Sequence, residues 1–324
     1  MSIFLEQISR KPDNYPWAQS FIDSMWESHW TPNEFSFKSD IQDFKTEFTE
    51  KEKLIVVSTL SAIGQIEIAV KKFWSKLGDN LPHPSLVDLG LVMAGVEVIH
   101  SAGYEKLLNV LGLEQVFEDN LKLDIIKGRV NYLRKYLHKY YKDSKKQYLY
   151  SLILFTLFIE NVSLFSQFYV ILWFNRFRNV LKDTGQQVNY TKSEELIHAQ
   201  VGIKLVNVIR EEHPELFDVE LEEKIISEAE AAFEAESKII DWMIGDFTEE
   251  NISAEILKEY VKNRINGSLR AIGFKKVFKI NKKLIEKTLW MEEEQYLPAM
   301  TDFFFSKPTA YSKGSQVITG EELF

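Results

Sequence analysis

Residues 91–104 read LVMAGVEVIHSAGY, an apolar stretch that carries one carboxylate and one imidazole, Glu97 and His100. On an α-helix a spacing of three residues leaves the two side chains about 60° apart, so both point to the same side. Met93 and Ala94 share that side, where a solvated carboxylate is not normally placed. The stretch therefore predicts a buried helix with two candidate metal ligands.

The same pair recurs later in the chain as Glu195 and His198. Each Glu-x-x-His pair follows a single glutamate, Glu67 in the mostly apolar SAIGQIEIAV and Glu160 in the apolar stretch 149–174. A lone buried carboxylate is costly unless it is paired, protonated or bound to a cation. Four helices that carry Glu, Glu-x-x-His, Glu and Glu-x-x-His form the pattern of a dimetal carboxylate bundle of the ferritin-like kind.

Two divalent cations would balance the charge of the four carboxylates, and neutral imidazoles would complete the site. Oxygen-rich ligation with two imidazoles suits iron or manganese. Taken singly, each residue has a simpler explanation. Glu67 could pair with Lys71 on the surface, Glu160 could bind an arginine, and His100 or His198 could donate to a carbonyl in the core.

Composition excludes several classes of function. The chain has 39 basic and 48 acidic residues, a formal net charge of −9, and no basic stripe, so nucleic acid is not an expected partner. It has no cysteine, which excludes disulfides and thiol chemistry on this chain. The stretch 149–174 is long enough to span a membrane, but Glu160 and Asn161 at its centre favour a core helix. We expect no membrane association and a cytoplasmic protein.

Helical periodicity runs through most of the 324 residues, which predicts an all-α fold. Thr49 and Glu52 form a capping box before one helix, and Pro84 opens another. We predict helices at about 50–74, 84–111, 115–140, 146–182, 191–212, 219–245, 253–265 and 283–304. Residues 1–305 are predicted to form one domain, and the polar residues 306–324 a flexible tail.

Residues 97–104 resemble the E-x-x-H-S-x-x-Y signature of the small subunits of class I ribonucleotide reductases. Residues 29–32 (HWTP) resemble the W-x-P segment of that family, residues 58–67 its first ligand helix, and residues 194–198 (EELIH) its last ligand pair. The resemblance extends from about Trp17 to the C-terminus and implies a ferritin-like helical bundle with additional helices.

The resemblance also implies a metal centre and a reaction. Glu67, Glu97 and His100 would bind chiefly one ion, and the other ion would be bound by Glu160, Glu195 and His198. The oxidised centre would supply a one-electron oxidant, which travels to a cysteine of the catalytic large subunit and starts the reduction of ribonucleotides to deoxyribonucleotides. The family further implies a homodimer.

Several residues would carry the oxidising equivalent. Tyr104 resembles the radical tyrosine of the family, and Trp30, linked through Glu194 to His100, resembles the tryptophan on the exit route. Either aromatic residue could instead belong only to the core. In the tail, Tyr311 resembles the tyrosine that passes the oxidising equivalent across the subunit interface, although it could lack such a role.

The last two residues of the tail, Leu323 and Phe324, would anchor it in an apolar groove of the large subunit. The preceding stretch, SKPTAYSKGSQVITGEE, is polar and carries Pro and Gly, as expected of a flexible segment. The tail therefore predicts a docking segment for the catalytic partner.

The chain departs from most of the family at three positions. Glu67 replaces an aspartate at the first ligand, Glu194 replaces the aspartate beside the last glutamate ligand, and Leu164 stands where a phenylalanine insulates the tyrosine pocket, while Phe168 remains. A looser pocket protects a tyrosyl radical poorly. Similar small subunits with glutamate at the first ligand include manganese/iron and dimanganese proteins, so the resemblance favours a manganese pair, with Tyr104 as a bystander and superoxide as the activator; an iron pair or a manganese/iron pair are the alternatives.

Three other functions compete with this prediction. A ferritin-like dimetal oxidase would need a substrate channel, and a ferritin-type metal storage protein would need no tail. The oxidase would have no use for Trp30, Tyr311 or the terminal Leu-Phe, and storage proteins usually have chains of about half this length. A helical scaffold without metal would show no metal on analysis of the purified protein.

Overall fold

The computed structural model of the protein describes residues 2–292, without the side chains of residues 67–71. The described chain is helical and has no β-strand, only one isolated bridge between Glu249 and Ile252. The α-helices are α1 Trp17–Glu27, α2 Lys38–Thr46, α3 Glu50–Trp74, α4 Leu77–Asn80, α5 Pro84–Val110, α6 Glu114–Asn120, α7 Asp124–Leu133, α8 Ser144–Ile153, α9 Phe165–Arg178, α10 Lys182–Glu212, α11 Val219–Ile244, α12 Ala254–Ala271 and α13 Lys282–Glu286.

The two helices α3 and α5 begin where their sequences predict. Thr49 and Glu52 form the expected capping box: the Thr49 N–H donates to Glu52 Oε2 over 2.9 Å, and the Glu52 N–H donates to Thr49 Oγ1 over 3.3 Å. Pro84 is the first residue of α5, and the ring of His83 accepts from the Ser85 N–H. Both ends are satisfied locally, which is why sequence alone locates them.

The apolar run predicted as one helix is interrupted. Between α8 and α9 lies a π-helix, Leu154–Ser163, which carries Glu160. A π-helical turn is rare and is frequently found at functional sites. The run is buried inside the protein, as predicted for a core helix.

The break before α10 also differs from the prediction. Asn179 and Leu181 adopt left-handed backbone angles, and α10 begins at Lys182 instead of about residue 191. The Asp40 carboxylate of α2 accepts hydrogen bonds from the Asp183 and Thr184 N–H groups at this helix start. The capping residue is distant in sequence, so local patterns do not reveal the start of α10.

The predicted helix 115–140 consists of α6, α7 and a short 3₁₀ turn, Arg134–Leu137. Helix 253–265 extends further, as α12, to Ala271. Of the predicted helix 283–304, the structure describes only the start, at α13. The chain divides into the units Met1–Lys287 and Thr288–Phe324, and the predicted boundary at 305 lies outside the described residues.

Four long helical segments surround the core. α3 packs against α5, α10 packs against the π-helix and α9, and α5 also contacts α10. α11 and α12 pack on the π-helix, and α1 covers α5. This is the predicted all-α, ferritin-like bundle with additional helices.

A buried arginine ties four of these segments together. Arg129 of α7 donates to Glu236 of α11, with Nε 3.0 Å from Oε1, and to the carbonyl of Ala62 on α3. Its Nη2 donates to the carbonyl of Ser163, at the end of the π-helix, and to Gln167 on α9. The buried guanidinium therefore satisfies a carboxylate and two backbone carbonyls in the core.

Two helical stretches are long and apolar enough to cross a membrane by length and composition alone, namely Pro84–Val110 and Ser144–Arg178. In the most apolar window of the second stretch, 89% of the residues are buried inside the protein, which is typical of a core helix. In the first stretch the buried share is 44%, so part of α5 has an apolar face on the outside.

Candidate metal centre

Three carboxylates and one imidazole meet in the middle of the bundle. One potential ligand atom from each residue lies within 4.8 Å of the others, and all four side chains are fully buried. The residues are Glu97, Glu160, Glu195 and His198. They come from α5, the π-helix and α10, so three segments separated in sequence build the cluster.

Two of the carboxylates face both histidines. The Nδ1 atom of His198 lies 3.0 Å from Glu97 Oε1 and 3.3 Å from Glu195 Oε2. The Nδ1 atom of His100 lies 3.5 Å from Glu97 Oε2 and 3.1 Å from Glu195 Oε1. Each carboxylate thus presents one oxygen to each imidazole, the arrangement expected of carboxylates between two cations.

The third carboxylate, Glu160, faces His198. Its Oε2 lies 3.5 Å from His198 Nδ1, and its Oε1 accepts a hydrogen bond of 3.0 Å from Trp74 Nε1. No described residue donates to Glu160 Oε2 or to any carboxylate oxygen of Glu97 and Glu195 with hydrogen-bond geometry. Five buried oxygens therefore point into one space without a well-aligned hydrogen bond from a described residue, which fits a bound cation.

The cluster perturbs its own proton affinities. Burial and the charges of Glu195 and Glu97 raise the pKa of Glu160 well above its usual value. Burial disfavours the charged form of His198, but the surrounding carboxylates outweigh it and raise the pKa of His198 well above 6.5. Against the effect of burial, the bond to Glu160 and the His198 charge lower the pKa of Glu195 far below its usual range. Without metal, protons on Glu160 and His198 therefore offset the negative charge of the carboxylates, which bound cations would otherwise neutralise.

A hydrogen-bonded chain leads from the cluster towards α1. His100 Nε2 lies 2.7 Å from Glu194 Oε2, and Trp30 Nε1 donates to the same oxygen over 2.9 Å. Carboxylates face both ring nitrogens of His100; with a cation bound at Nδ1, the imidazole proton would lie on Nε2, facing Glu194. Trp30 also stacks on the His100 ring, with centroids 6.2 Å apart and an interplanar angle of 19°.

Gly103 allows this approach, because a Cβ at that position would lie 2.9 Å from the Trp30 ring. Tyr104, the next residue on α5, is 2% exposed. It lies one helical turn after His100, on the inner side of α5. Leu164 and Phe168, the residues proposed to surround its pocket, are also fully buried.

Trp74 is a residue that the sequence analysis missed. It ends α3, is fully buried, donates to Glu160 and lies against His198 with ring centroids 5.6 Å apart. A signal was available, because Trp74 follows Glu67 by two helical turns and therefore shares its face of α3.

Four of the predicted residues cannot be placed. Glu67 belongs to α3, but its side chain lies outside the described part of the structure. Tyr311, Leu323 and Phe324 also lie outside the described residues.

Comparisons with known proteins agree with the geometry. The sequence matches the family model for the ribonucleotide reductase small chain over residues 7–284. It is 24% identical to a probable ribonucleoside-diphosphate reductase small subunit of Invertebrate iridescent virus 3, over 99% of this chain and 88% of that one. The structure resembles a ribonucleotide reductase R2 subunit from Clostridium botulinum with a TM-score of 0.78, at 19% identity, over 87% of this chain and 89% of that one.

A second structural neighbour is the dimanganese(II)-NrdF of Streptococcus sanguinis, with a TM-score of 0.69 at 14% identity, over 88% of this chain and 99% of that one. The bundle and its buried carboxylates define a helical protein of the ferritin-like class. The family match covers most of the chain. The chain therefore belongs to the family of ribonucleotide reductase small chains, which are subunits of an oxidoreductase.

Proposed function

We propose that this chain holds two transition-metal ions and supplies the one-electron oxidant that a catalytic large subunit uses to reduce ribonucleotides. The observation that carries the proposal is the set of buried carboxylate oxygens that face both histidines without a donor among the described residues. When bound, the metal pair supplies a stored oxidising equivalent. The ferritin-like oxidase and the metal storage protein are not favoured, because the family match is to reductase small chains.

The proposed ligands are the six residues of the sequence pattern. Glu97 and Glu195 would help to hold both ions, since each faces both imidazoles through different oxygens. Glu160 would be a terminal ligand through Oε2, because Trp74 holds its Oε1. Glu67 and His100 would complete the coordination, and His198 would bind through Nδ1.

We propose manganese as the metal of both positions. The carboxylate and imidazole donors accept manganese and iron alike. Glu67 at the first ligand position and Leu164 in the tyrosine pocket favour manganese, and the structural neighbour from Streptococcus sanguinis is a dimanganese protein. Superoxide would then be the activating oxidant, and Tyr104 would not carry the radical.

The exit route would begin at the hydrogen-bonded chain. His100 Nε2 and Trp30 Nε1–H both lie within hydrogen-bond distance of one oxygen of Glu194, so an electron that leaves Trp30 towards the metal site would cross two short polar contacts. Glu194 can hold the indole proton as Trp30 is oxidised, which avoids a buried positive charge. Glu194 would therefore control the redox step by its position.

The outer face of α5 supports the homodimer expected from the sequence. Leu91 and Val98 are 57% and 55% exposed, and Gly95 and Ala102 lie on the same stripe, opposite the buried Glu97. A Cβ at Gly95 would meet nothing within 4 Å, so a second backbone has room to approach. An exposed apolar stripe of small residues is typical of a protein interface.

The catalytic subunit would bind the tail, with Tyr311 as the last carrier and Leu323 and Phe324 as anchors. Deletion of residues 310–324 should abolish complex formation and leave the metal content unchanged. The protein would act in the cytoplasm, where its nucleotide substrates are found.

The decisive test is metal quantification joined to electron paramagnetic resonance of the activated protein. Two manganese ions per chain and a signal with manganese hyperfine structure would support the proposal, whereas an active preparation without transition metal would refute it. A matched pair of variants, Glu160→Gln and Glu236→Gln, separates ligands from structural carboxylates. Only Glu160→Gln should lower the metal content of folded protein.

A further inference from the structure

A large basic cavity lies outside the metal centre. It has a volume of 1140 Å³ and is bounded by the second half of α3, by α7 with the segment that follows it, and by the start of α8. Five cationic side chains line it: Lys72, Lys76, Arg134, Lys139 and Lys142. Among the described residues the lining contains no aspartate and no glutamate, although the whole chain has a net charge of −9.

Within the described part of the structure, the five cations have no carboxylate partner. None of them forms an ion pair with a described carboxylate. Lys72 lies in the last turn of α3 and Lys76 immediately before α4, and the other three belong to the segment 134–142, so two separate stretches of chain place positive charge at the same cavity. Like charges gathered in one concave site repel each other unless an anion occupies it.

Three tyrosines give the cavity an aromatic wall, namely Tyr136, Tyr141 and Tyr148, all at least nine-tenths buried. The hydroxyls of Tyr141 and Tyr148 and the Oε1 atom of Gln65 are buried and form no hydrogen bond with described residues. Burial raises the pKa of Tyr141 to about 12, so its hydroxyl keeps its proton and can donate. Buried polar atoms without partners at a cavity wall indicate that a ligand supplies the partner.

We propose that this cavity binds a nucleoside triphosphate. The lysine ammonium groups would attract the phosphates as point charges, and the Arg134 guanidinium would donate two hydrogen bonds to one phosphate. The tyrosine rings would pack on the base. The unpartnered Gln65 oxygen and tyrosine hydroxyls would accept from and donate to the base and the sugar. None of these residues belongs to the proposed metal ligands, so the site stands independently of the metal chemistry.

The cavity adjoins the metal centre through aromatic rings. Phe73 lines the cavity and stacks on Phe155 with centroids 3.9 Å apart, and Phe155 contacts the edge of Trp74, which donates to Glu160. A bound nucleotide would therefore lie a few side chains from a metal ligand. Nucleotide binding at this distance should change the Trp74 fluorescence.

Isothermal titration calorimetry of the full-length, manganese-loaded protein would test the proposal with MgATP, magnesium tripolyphosphate and adenosine as probes. MgATP should bind once per chain, with tripolyphosphate at least about tenfold weaker because it lacks the ring. Arg134→Ala combined with Lys139→Ala should weaken MgATP at least about tenfold, and Tyr148→Phe about threefold. Lys275→Ala, which removes an unpaired exposed charge elsewhere, should leave the affinity unchanged.

Three results would overturn the proposal. The first is no heat from MgATP at millimolar concentration, and the second is an unchanged affinity in the Arg134→Ala, Lys139→Ala variant. In the third, tripolyphosphate or a glutamate-rich peptide competes as well as MgATP, which would assign the cavity to polyanions in general. Circular dichroism melting of each variant confirms that it is folded before the comparison.

Discussion

The substitution Glu160→Gln should stabilise the metal-free protein, although it removes a proposed ligand. Glu160 is fully buried, and burial with the neighbouring carboxylates raises its pKa well above the ordinary value of 4.5. The folded metal-free protein therefore takes up a proton at Glu160 that the unfolded chain does not hold at neutral pH. The stability that Glu160 contributes is fully present below pH 4.5 and is lost as pH rises through the folded pKa.

The size of the effect follows from this linkage. One pKa unit corresponds to about 1.4 kcal/mol, so at about pH 7.5 the proton uptake costs at most about 4 kcal/mol, and at about pH 5 it costs less than about 1 kcal/mol. Glutamine needs no proton and can still accept from Trp74 through its oxygen. We expect the variant to unfold with a free energy higher by about 2–4 kcal/mol at pH 7.5 and nearly unchanged at pH 5.

Urea unfolding of chelator-treated protein at both pH values measures this difference. Glu236→Gln is the matched control: Glu236 is equally buried, but Arg129 donates to it over 3.0 Å. Loss of one partner of a buried ion pair destabilises a protein by about 3–5 kcal/mol, so the control should change stability in the opposite direction. If Glu160→Gln destabilises the metal-free protein at pH 7.5 as the control does, the argument for an uncompensated carboxylate fails.

Three further perturbations have distinct outcomes. Trp30→Phe removes the indole N–H that donates to Glu194 and, with it, the oxidisable indole. The metal content should persist, while turnover with the large subunit should fall at least about a hundredfold. Normal turnover would remove Trp30 from the route. Tyr104→Phe should keep most of the turnover and the manganese spectrum, and its complete loss would make Tyr104 the oxidant. Gly202→Ala should lower the free energy of unfolding by about 1–3 kcal/mol in thermal melts, because the added Cβ would overlap the Thr156 side chain. The control Gly267→Ala should raise it by roughly 0.5–1 kcal/mol, because the position is helical and the added Cβ meets open space.

The positions of α3 and α5 could be predicted from the sequence because their signals are local. The capping box at Thr49 and the proline at residue 84 lie within one turn of the helix starts, and the apolar periodicity fixes the faces. The ligand pattern is also local in its repeating unit, because three-residue spacing on any helix brings Glu97 beside His100 and Glu195 beside His198. The absence of cysteine excluded thiol chemistry on this chain, and the resemblance of its motifs predicted the family.

Tertiary structure alone decided the features that depend on distant partners. The start of α10 is capped by Asp40 from α2, and the end of the π-helix is held by Arg129 from α7, so no local pattern marks either one. Glu97 and Glu195 can face both imidazoles only if α5 and α10 pack in the correct register. The hydrogen bond from Trp74 to Glu160 and the basic cavity likewise depend on how separate helices pack. A sequence determines which side chains share a helix face, because helical geometry is short-ranged. Which faces meet is set by packing across the whole core.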